Sequence, residues 1–342
     1  MKAVVTGGAG FIGSNLVKKL FNQGREVIVA SDFSRLGFDN LQNLGIRKQD
    51  IEIRDADLTH YSQTLKAVEG VETVFHLAAR VGSLQYLHGT ETAELVALQE
   101  NLAIDANVFR ACLEQGVKKL VYASSVAVYS MGSQFGHNAV FKENALDLSQ
   151  NQITAFSPDG GYGWSKLMGE IQLNWTKSLA IGIARIFNTY GVNEPSEEGK
   201  AHVIGDLIHK VILLPSGSTL RVYGDGKQSR DFLYVTDCVD ALLLLEKMAS
   251  NPPTTVNFGS GEVITINTIA NKVIEVSGKN IKIAHDLTKP IGPVSRTADI
   301  TRAKALLHWQ PRVSLDEGIR LTYSWMQRKL AGDNSPEQKP KP

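Results

Sequence analysis

The chain has 342 residues, of which 43% are hydrophobic, with a formal charge of +1 and two cysteines. That is ample for one large unit or two closely joined ones with a sizeable core, and no basic run marks nucleic acid or an anionic membrane as a partner. Cys112 and Cys238 stand among apolar residues, as reduced thiols of a cytoplasmic protein do, and show neither a disulfide framework nor metal-ligand spacing. No apolar run reaches membrane-spanning length, and the N-terminus reads as a strand instead of a signal peptide.

Ala3–Thr6 is a short β-branched run. It leads into Gly7-Gly8-Ala9-Gly10-Phe11-Ile12-Gly13-Ser14 and a helical pattern over residues 15–21. Strand, glycine turn and helix in this order form a phosphate cradle: Gly7 permits the turn, Gly10 lets the backbone approach a pyrophosphate, and Gly13 lets the helix pack close, its N-terminus facing the anion. The spacing is G-x-x-G-x-x-G. A second strand over 27–30 ends at Ser31-Asp32, where a carboxylate bonds the adenosine ribose hydroxyls and repels a 2′-phosphate, so the expected cofactor is NAD and not NADP. A third strand over 51–53 brings Asp57 and Leu58 to the adenine edge, and a helix over 62–68 follows.

The fourth strand, 73–79, is apolar throughout, as a parallel strand covered on both faces should be. His76 within it reads as a core histidine with a backbone partner. The end of this strand, Leu77-Ala78-Ala79-Arg80 and on to Ser83, is small enough for a flat ligand. In the long helix over 92–115, Asn101 and Asn107 cost helix propensity and should each bond something specific; its outer face is expected to pair with its counterpart in a homodimer. A fifth strand over 119–123 runs into Ser124 and Ser125, and open α/β sheets bind ligands at such strand ends.

The helix expected over 161–177 opens on Gly161-Tyr162-Gly163-Trp164-Ser165-Lys166. Four residues apart, Tyr162 and Lys166 share a helix face. A free phenol titrates near ~10, and a neighbouring cation lowers that value at roughly 1.4 kcal/mol per unit, so an acidified tyrosine is expected. Further on, a helix over 202–214, a strand and turn over 220–226, a strand over 232–235, a helix over 238–248 and a strand over 256–259 are read. Segments 265–276, 281–284 and 300–307 and the closing helix Leu315–Leu330 complete the pattern. Residues 334–342 hold no apolar anchor and should be disordered.

Taken together, the glycine turn, Asp32, Asp57-Leu58, His76-Leu77-Ala78-Ala79, Asn101, Ser124-Ser125 ending at Tyr129, Tyr162-x-x-x-Lys166, Arg185-Ile186-Phe187-Asn188-Thr189-Tyr190-Gly191 and Arg230-Asp231-Phe232 stand in order. This set resembles the extended short-chain dehydrogenase/reductase family, specifically its nucleotide-sugar epimerases and dehydratases, from residue 1 to about 330. The resemblance implies a Rossmann-type α/β fold: a doubly wound parallel sheet from residues 1–187 and about 228–262, with a smaller C-terminal substrate-binding domain from 188–227 and 263–330 and a disordered tail from 331. It also implies bound NAD, a nucleotide-diphosphate sugar as substrate, and no metal.

By the same resemblance, Ser125 is the catalytic serine, Tyr162 the base or acid, and Lys166 the group that holds the nicotinamide ribose. Phe11, Ile12, Ser124 and Phe187 join the glycines, Asp32, the two strand ends and Asn101 as cofactor contacts. Asn188, Arg230 and Arg296 match positions that grip the diphosphate, for which a bidentate guanidinium is suited; Ser83 and His202 complete the substrate side. The 4,6-dehydratases of the family resemble one another in an Asp-Glu or Ser-Glu pair after the catalytic residue. Here Val126 and Ala127 stand there, which disfavours dehydration. The 3,5-epimerases of GDP-sugars and the fucose-forming epimerase-reductases carry a Cys where this chain has Ala127, although His202 resembles their second acid/base group. The simplest remaining chemistry is C4 epimerisation by way of a 4-keto sugar. The alternatives are a GDP-sugar 3,5-epimerase or epimerase-reductase using His202, a nucleotide-sugar dehydratase, and a cofactor-binding regulator that has lost turnover.

Overall fold

The structure, a computed structural model, describes residues 2–34, 37–82, 86–87, 89–90, 92–134, 139–146, 157–195, 201–289 and 292–332. Most of the tail read as disordered, from residue 333, and the predicted substrate contact Ser83 lie outside them.

Seven strands form one parallel sheet: β1 (Ala3–Thr6), β2 (Val27–Ser31), β3 (Glu52–Asp55), β4 (Thr73–His76), β5 (Lys119–Ser125), β7 (Ala180–Ile186) and β12 (Thr254–Phe258). Their order is β12-β7-β5-β4-β1-β2-β3, so the direction of winding reverses between β1 and β4. Ligands of such sheets bind outside the carboxyl ends of the strands at that reversal. Helices α1 (Phe11–Asn22), α2 (Asp39–Asn43), α3 (Tyr61–Ala67), α4 (Ala93–Glu114) and α5 (Gly160–Trp175) belong to this half of the chain.

Alternate residues of one strand enter different cores. Val121 of β5 packs with Val5, Val29 and Leu16 on one face, whereas Leu120 and Tyr122 pack with Val4, Ile28, Phe109 and Ile183 on the other. Both faces are covered, which is why these strands read as continuous apolar runs. Element boundaries move by a few residues from expectation; among those at the cleft, β4 stops at His76, and α5 opens at Gly160 and closes at Trp175. Past His76 only Leu77 N–H still bonds β1, at Thr6 O, 3.2 Å away, before the Ala78 N–H passes to the Thr6 hydroxyl.

The second region holds α6 (Val203–Leu213), α8 (Ile266–Ser277) and α10 (Leu315–Leu330) around Ile204, Leu207, Leu220, Ile269, Ile319 and Met326. Ser314 caps α10 by accepting from Glu317 N–H at 3.3 Å. A four-stranded sheet runs β13 (Ile264–Thr265), β10 (Ser229–Arg230), β15 (Ser295–Ala298), β6 (Val140–Phe141), so part of the long segment between Tyr129 and Tyr162 is a strand. Two parallel pairs complete the sheets: β8 (Asn188–Tyr190) with β11 (Phe232–Tyr234), and β9 (Thr219–Tyr223) with β14 (Lys282–Asp286). Helices α7 (Val235–Lys247) and α9 (Thr301–Leu307) carry Leu242 and Ala303 into the first core.

A buried ionic network crosses under β5 and β7. Glu170 of α5 accepts from Arg185 Nε at 3.0 Å and Nη2 at 2.6 Å, and from Ser124 Oγ at 2.5 Å. Arg185 donates on to Tyr129 Oη at 3.2 Å, which in turn donates to Asn257 at 2.7 Å. Arg185 and Glu170 are buried, so removing one partner leaves a charge in the core. Arg185→Met is therefore expected to cost about 3–5 kcal/mol in urea unfolding, and the double replacement Arg185→Met with Glu170→Leu less than the sum of the two single ones.

Candidate active site

Along the carboxyl edge of the sheet lies a cleft of about 1400 Å³. Its wall at one end is the glycine turn. Gly7 has φ +67°, and a Cβ there would stand 2.8 Å from Ala78 N; a Cβ on Gly13 would run into the carbonyl oxygen of Gly7. Glycine at both positions lets the turn close against the end of β4 and leaves the first backbone N–H groups of α1 facing the cleft. Phe11, Ile12, Asp32, Asp57 and Leu58 line the same end. The Asp32 carboxylate accepts from the Ser34 hydroxyl at 2.7 Å, and Asp57 from Thr59 N–H at 2.9 Å and the Thr59 hydroxyl at 2.7 Å. Asp57 is held below the usual carboxylate range by the Thr59 hydroxyl, which outweighs partial burial. A glycine cradle, a helix N-terminus and a carboxylate after β2 fit NAD.

A chain of hydrogen bonds fixes the end of β4. The Ala78 N–H donates to Thr6 Oγ1 at 3.3 Å, and the Thr6 hydroxyl lies 2.7 Å from His76 Nδ1. His76 Nε2 lies 3.0 Å from Asp105 Oδ1, and the Tyr122 hydroxyl donates to Asp105 Oδ2 at 2.5 Å. A carboxylate only accepts, so Nε2 carries the proton and Nδ1 accepts from Thr6. His76 is thus a core histidine as read, with side-chain partners in place of the expected backbone one. Burial pushes its pKa down, and it stays neutral.

Asn101, expected at the cofactor, is fully buried and clamps the backbone of Arg80, accepting from Arg80 N–H at 2.7 Å and donating to Arg80 O at 3.1 Å. It shapes the wall without being part of it. Asn107 bonds Leu58 O at 2.9 Å. Leu77, Ala78, Ala79 and Arg80 themselves line the cleft, as does Ser124, whose hydroxyl is committed to Glu170.

Ser125 ends β5 and Tyr162 lies in the first turn of α5; both line the cleft, and the Ser125 hydroxyl accepts from Ala127 N–H at 3.2 Å. The expected acidification is not found. Burial pushes the Tyr162 phenol up to about 12; the Ser125 hydrogen bond opposes this and the Asp105 charge adds to it. Lys166 lines the same cleft; its ammonium sits 4.7 Å from the centroid of the Tyr122 ring, in the field of Asp105 and Glu170. Gly169 permits this, because a Cβ there would collide with the Tyr122 hydroxyl. Burial lowers the Lys166 pKa, and the two carboxylates counter it. Spacing on a helix face was legible, but the acids beneath the lysine were not.

At the other end, Phe187, Asn188, His202, Arg230 and Arg296 line the cleft. Asn188 Nδ2 donates to Asp231 O at 3.1 Å, and Arg230 Nη1 to Ser229 O at 2.7 Å and Pro293 O at 2.6 Å. β10 and β15 run parallel with Arg230 directly opposite Arg296. Burial lowers the His202 pKa, so its imidazole is neutral. Asp105, Glu170 and Asp159 were not singled out by sequence; the only signal was an acid one helical turn after Lys166, at Glu170.

A doubly wound sheet with a glycine cradle at one end of a cleft, a serine–tyrosine pair in it and two arginines at the other end defines an NAD-dependent enzyme of the short-chain dehydrogenase/reductase type. The chain belongs to the NAD dependent epimerase/dehydratase family, whose model matches residues 3–259. It is 30% identical over 348 residues to a Bacillus subtilis protein described as an uncharacterized UDP-glucose epimerase, covering 97% of this chain and 100% of that protein. A GDP-mannose 3,5-epimerase of Arabidopsis thaliana is 29% identical over 333 residues, 96% of this chain and 83% of that protein. The UDP-glucose 4-epimerase of Thermotoga maritima, solved with UDP-glucose, is similar with a TM-score of 0.81 at 26% identity, over 96% of this chain and 100% of that one.

Two outcomes test the site. Gly13→Ala should raise the Kd for NAD by at least about tenfold in calorimetry, since the turn cannot close around a Cβ. Asp105 would be pushed up by burial, but the Lys166 charge and the bonds from His76 and Tyr122 hold it below its ordinary value. Its ionised form then favours the folded state; that contribution is complete above the unfolded pKa of about 4 and is lost as pH falls through the folded value. Asp105→Asn should lower the urea midpoint at pH 7, and the gap from the parent should narrow below about pH 4.

Proposed function

We propose that the protein is an NAD-dependent nucleotide-sugar 4-epimerase, inverting C4 through a transient 4-keto sugar. The observation that carries this is that Ser125 and Tyr162 line the same cleft as the glycine cradle and the arginine pair, with the Ser125 hydroxyl placed to favour the ionised phenol. NAD, when bound, supplies a reversible hydride acceptor and a positive charge on its nicotinamide ring. Tyr162 takes the proton of the sugar 4-hydroxyl and returns it. Ser125 donates to the same oxygen as it becomes a carbonyl, and a hydroxyl aimed where charge develops is the arrangement that lowers such a barrier.

Before the dinucleotide is in place the phenol is up at about 12 and neutral. The charge of the nicotinamide ring acts in the direction that makes it a base, and buried Lys166 keeps a second cation in the same wall. Arg230 and Arg296 hold the diphosphate, with Asn188 beside them in the cleft lining. The substrate reading draws on the Thermotoga enzyme, which binds UDP-glucose. Val126 and Ala127, both buried and apolar, follow Ser125 and offer no second proton carrier.

The similarity to GDP-mannose 3,5-epimerases favours a second reading, in which neutral His202 removes a proton from C3 or C5. Tyr162→Phe separates activity from binding: kcat should fall by about 10²–10⁴-fold with the Kd for UDP or GDP changed less than about threefold. Full turnover by this variant would refute the proposal. Run in deuterium oxide, the reaction should leave carbon-bound hydrogen unexchanged; deuterium at C3 or C5 of the product would replace it with the second reading.

A further inference from the structure

Asp159 lies in the wall of the cleft immediately before α5, three positions ahead of Tyr162. Its backbone N–H donates to Ala127 O at 2.9 Å, and its carbonyl accepts from Gly163 N–H at 2.9 Å. Both backbone groups therefore hold the start of α5 against the turn that follows Ser125. Its carboxylate is ion-paired with Arg296, and the two side chains are only 15% and 10% exposed. Arg296 faces Arg230 across parallel strands, and like charges directly opposite repel. Burial, with Arg296 adding to it, pulls the Arg230 guanidinium down to about 10, against which the Asp159 charge works. Two guanidinium groups and one carboxylate leave a single positive charge in a wall read as meeting a doubly charged diphosphate.

We propose that Asp159 is the internal counter-ion of the arginine pair: its carboxylate occupies Arg296 until the diphosphate of the substrate displaces it. The identity of the anion rests on the nucleotide-sugar reading; the counter-ion itself rests on the ion pair. Arg296 is thereby kept turned into the cleft, at the expense of affinity. Occupation of the anion site is also linked to the first turn of the helix that presents Tyr162, because the displaced carboxylate belongs to the residue that starts it.

The test is calorimetry on the full NAD-loaded chain with UDP, GDP and inorganic pyrophosphate. Asp159→Asn should bind UDP or GDP, and pyrophosphate, about three- to tenfold more tightly than the parent, and the gain should vanish in an Arg296→Ala background where no pair remains to be broken. A carboxylate that only aims Arg296 would make the same variant bind more weakly. Asp159→Ser, which keeps an oxygen ahead of the helix, carries the same expectation if the asparagine variant does not fold. Unchanged or weaker binding of every probe overturns the counter-ion and leaves the nucleotide-sugar reading standing. Tighter binding of pyrophosphate with no binding of UDP or GDP sinks that reading and leaves the counter-ion. No binding of any probe to parent or variant overturns both.

Discussion

The carboxylate of Asp105, buried beneath the sheet's carboxyl edge, is what the rest of the site leans on. It takes hydrogen bonds from His76 on β4 and Tyr122 on β5, and it lies in the field of Lys166 on α5. A carboxylate without such partners is costly in a core. Three elements are therefore held in one arrangement by a single group, and the pairing runs on through Thr6 to the N–H of Ala78 at the cleft wall. The serine and tyrosine are placed by that framework; loops alone would leave them free to drift.

The second constraint is the Glu170–Arg185 pair, one turn beyond Lys166 along the same buried face of α5. It commits Ser124 and reaches Tyr129, so the two residues flanking the Ser125 turn are tied down while Ser125 itself remains available to Tyr162. With Lys166 packed on Tyr122, α5 carries two charged contacts on successive turns of its buried face. The first turn, which carries Tyr162, is fastened separately by the backbone of Asp159. Strength at the base of the helix and a looser, ionic attachment at its tip suit an element that must meet two ligands in one cleft.

Much of the fold was legible in the residues because local physics suffices for it. Apolar β-branched runs that bury both faces became the strands of the parallel sheet, and the glycine turn at Gly7 to Gly13 led directly into α1. Misreadings came where a residue's role depends on what packs against it. Tyr162 and Lys166 share a face, yet the ammonium packs on the Tyr122 ring in the field of Asp105 and Glu170, and burial pushes the phenol up. Asn101 lies near the cofactor end and bonds Arg80 instead of lining the cleft. Asp159 carried no signal at all, since an Asp before a helix is ordinary and Arg296 is 137 residues away in sequence.

The order of glycine turn, acidic strand end, serine pair, tyrosine–lysine helix and basic strand was determined by the sequence alone, because each is a short-range pattern recognisable from consecutive residues. Membership of the NAD-dependent family follows from that order. Only the tertiary structure decided the protonation of Tyr162, the partner of Lys166, the clamp by Asn101 and the neutralisation of Arg296. These are set by burial and by charges brought together from distant parts of the chain, quantities that a linear pattern does not contain.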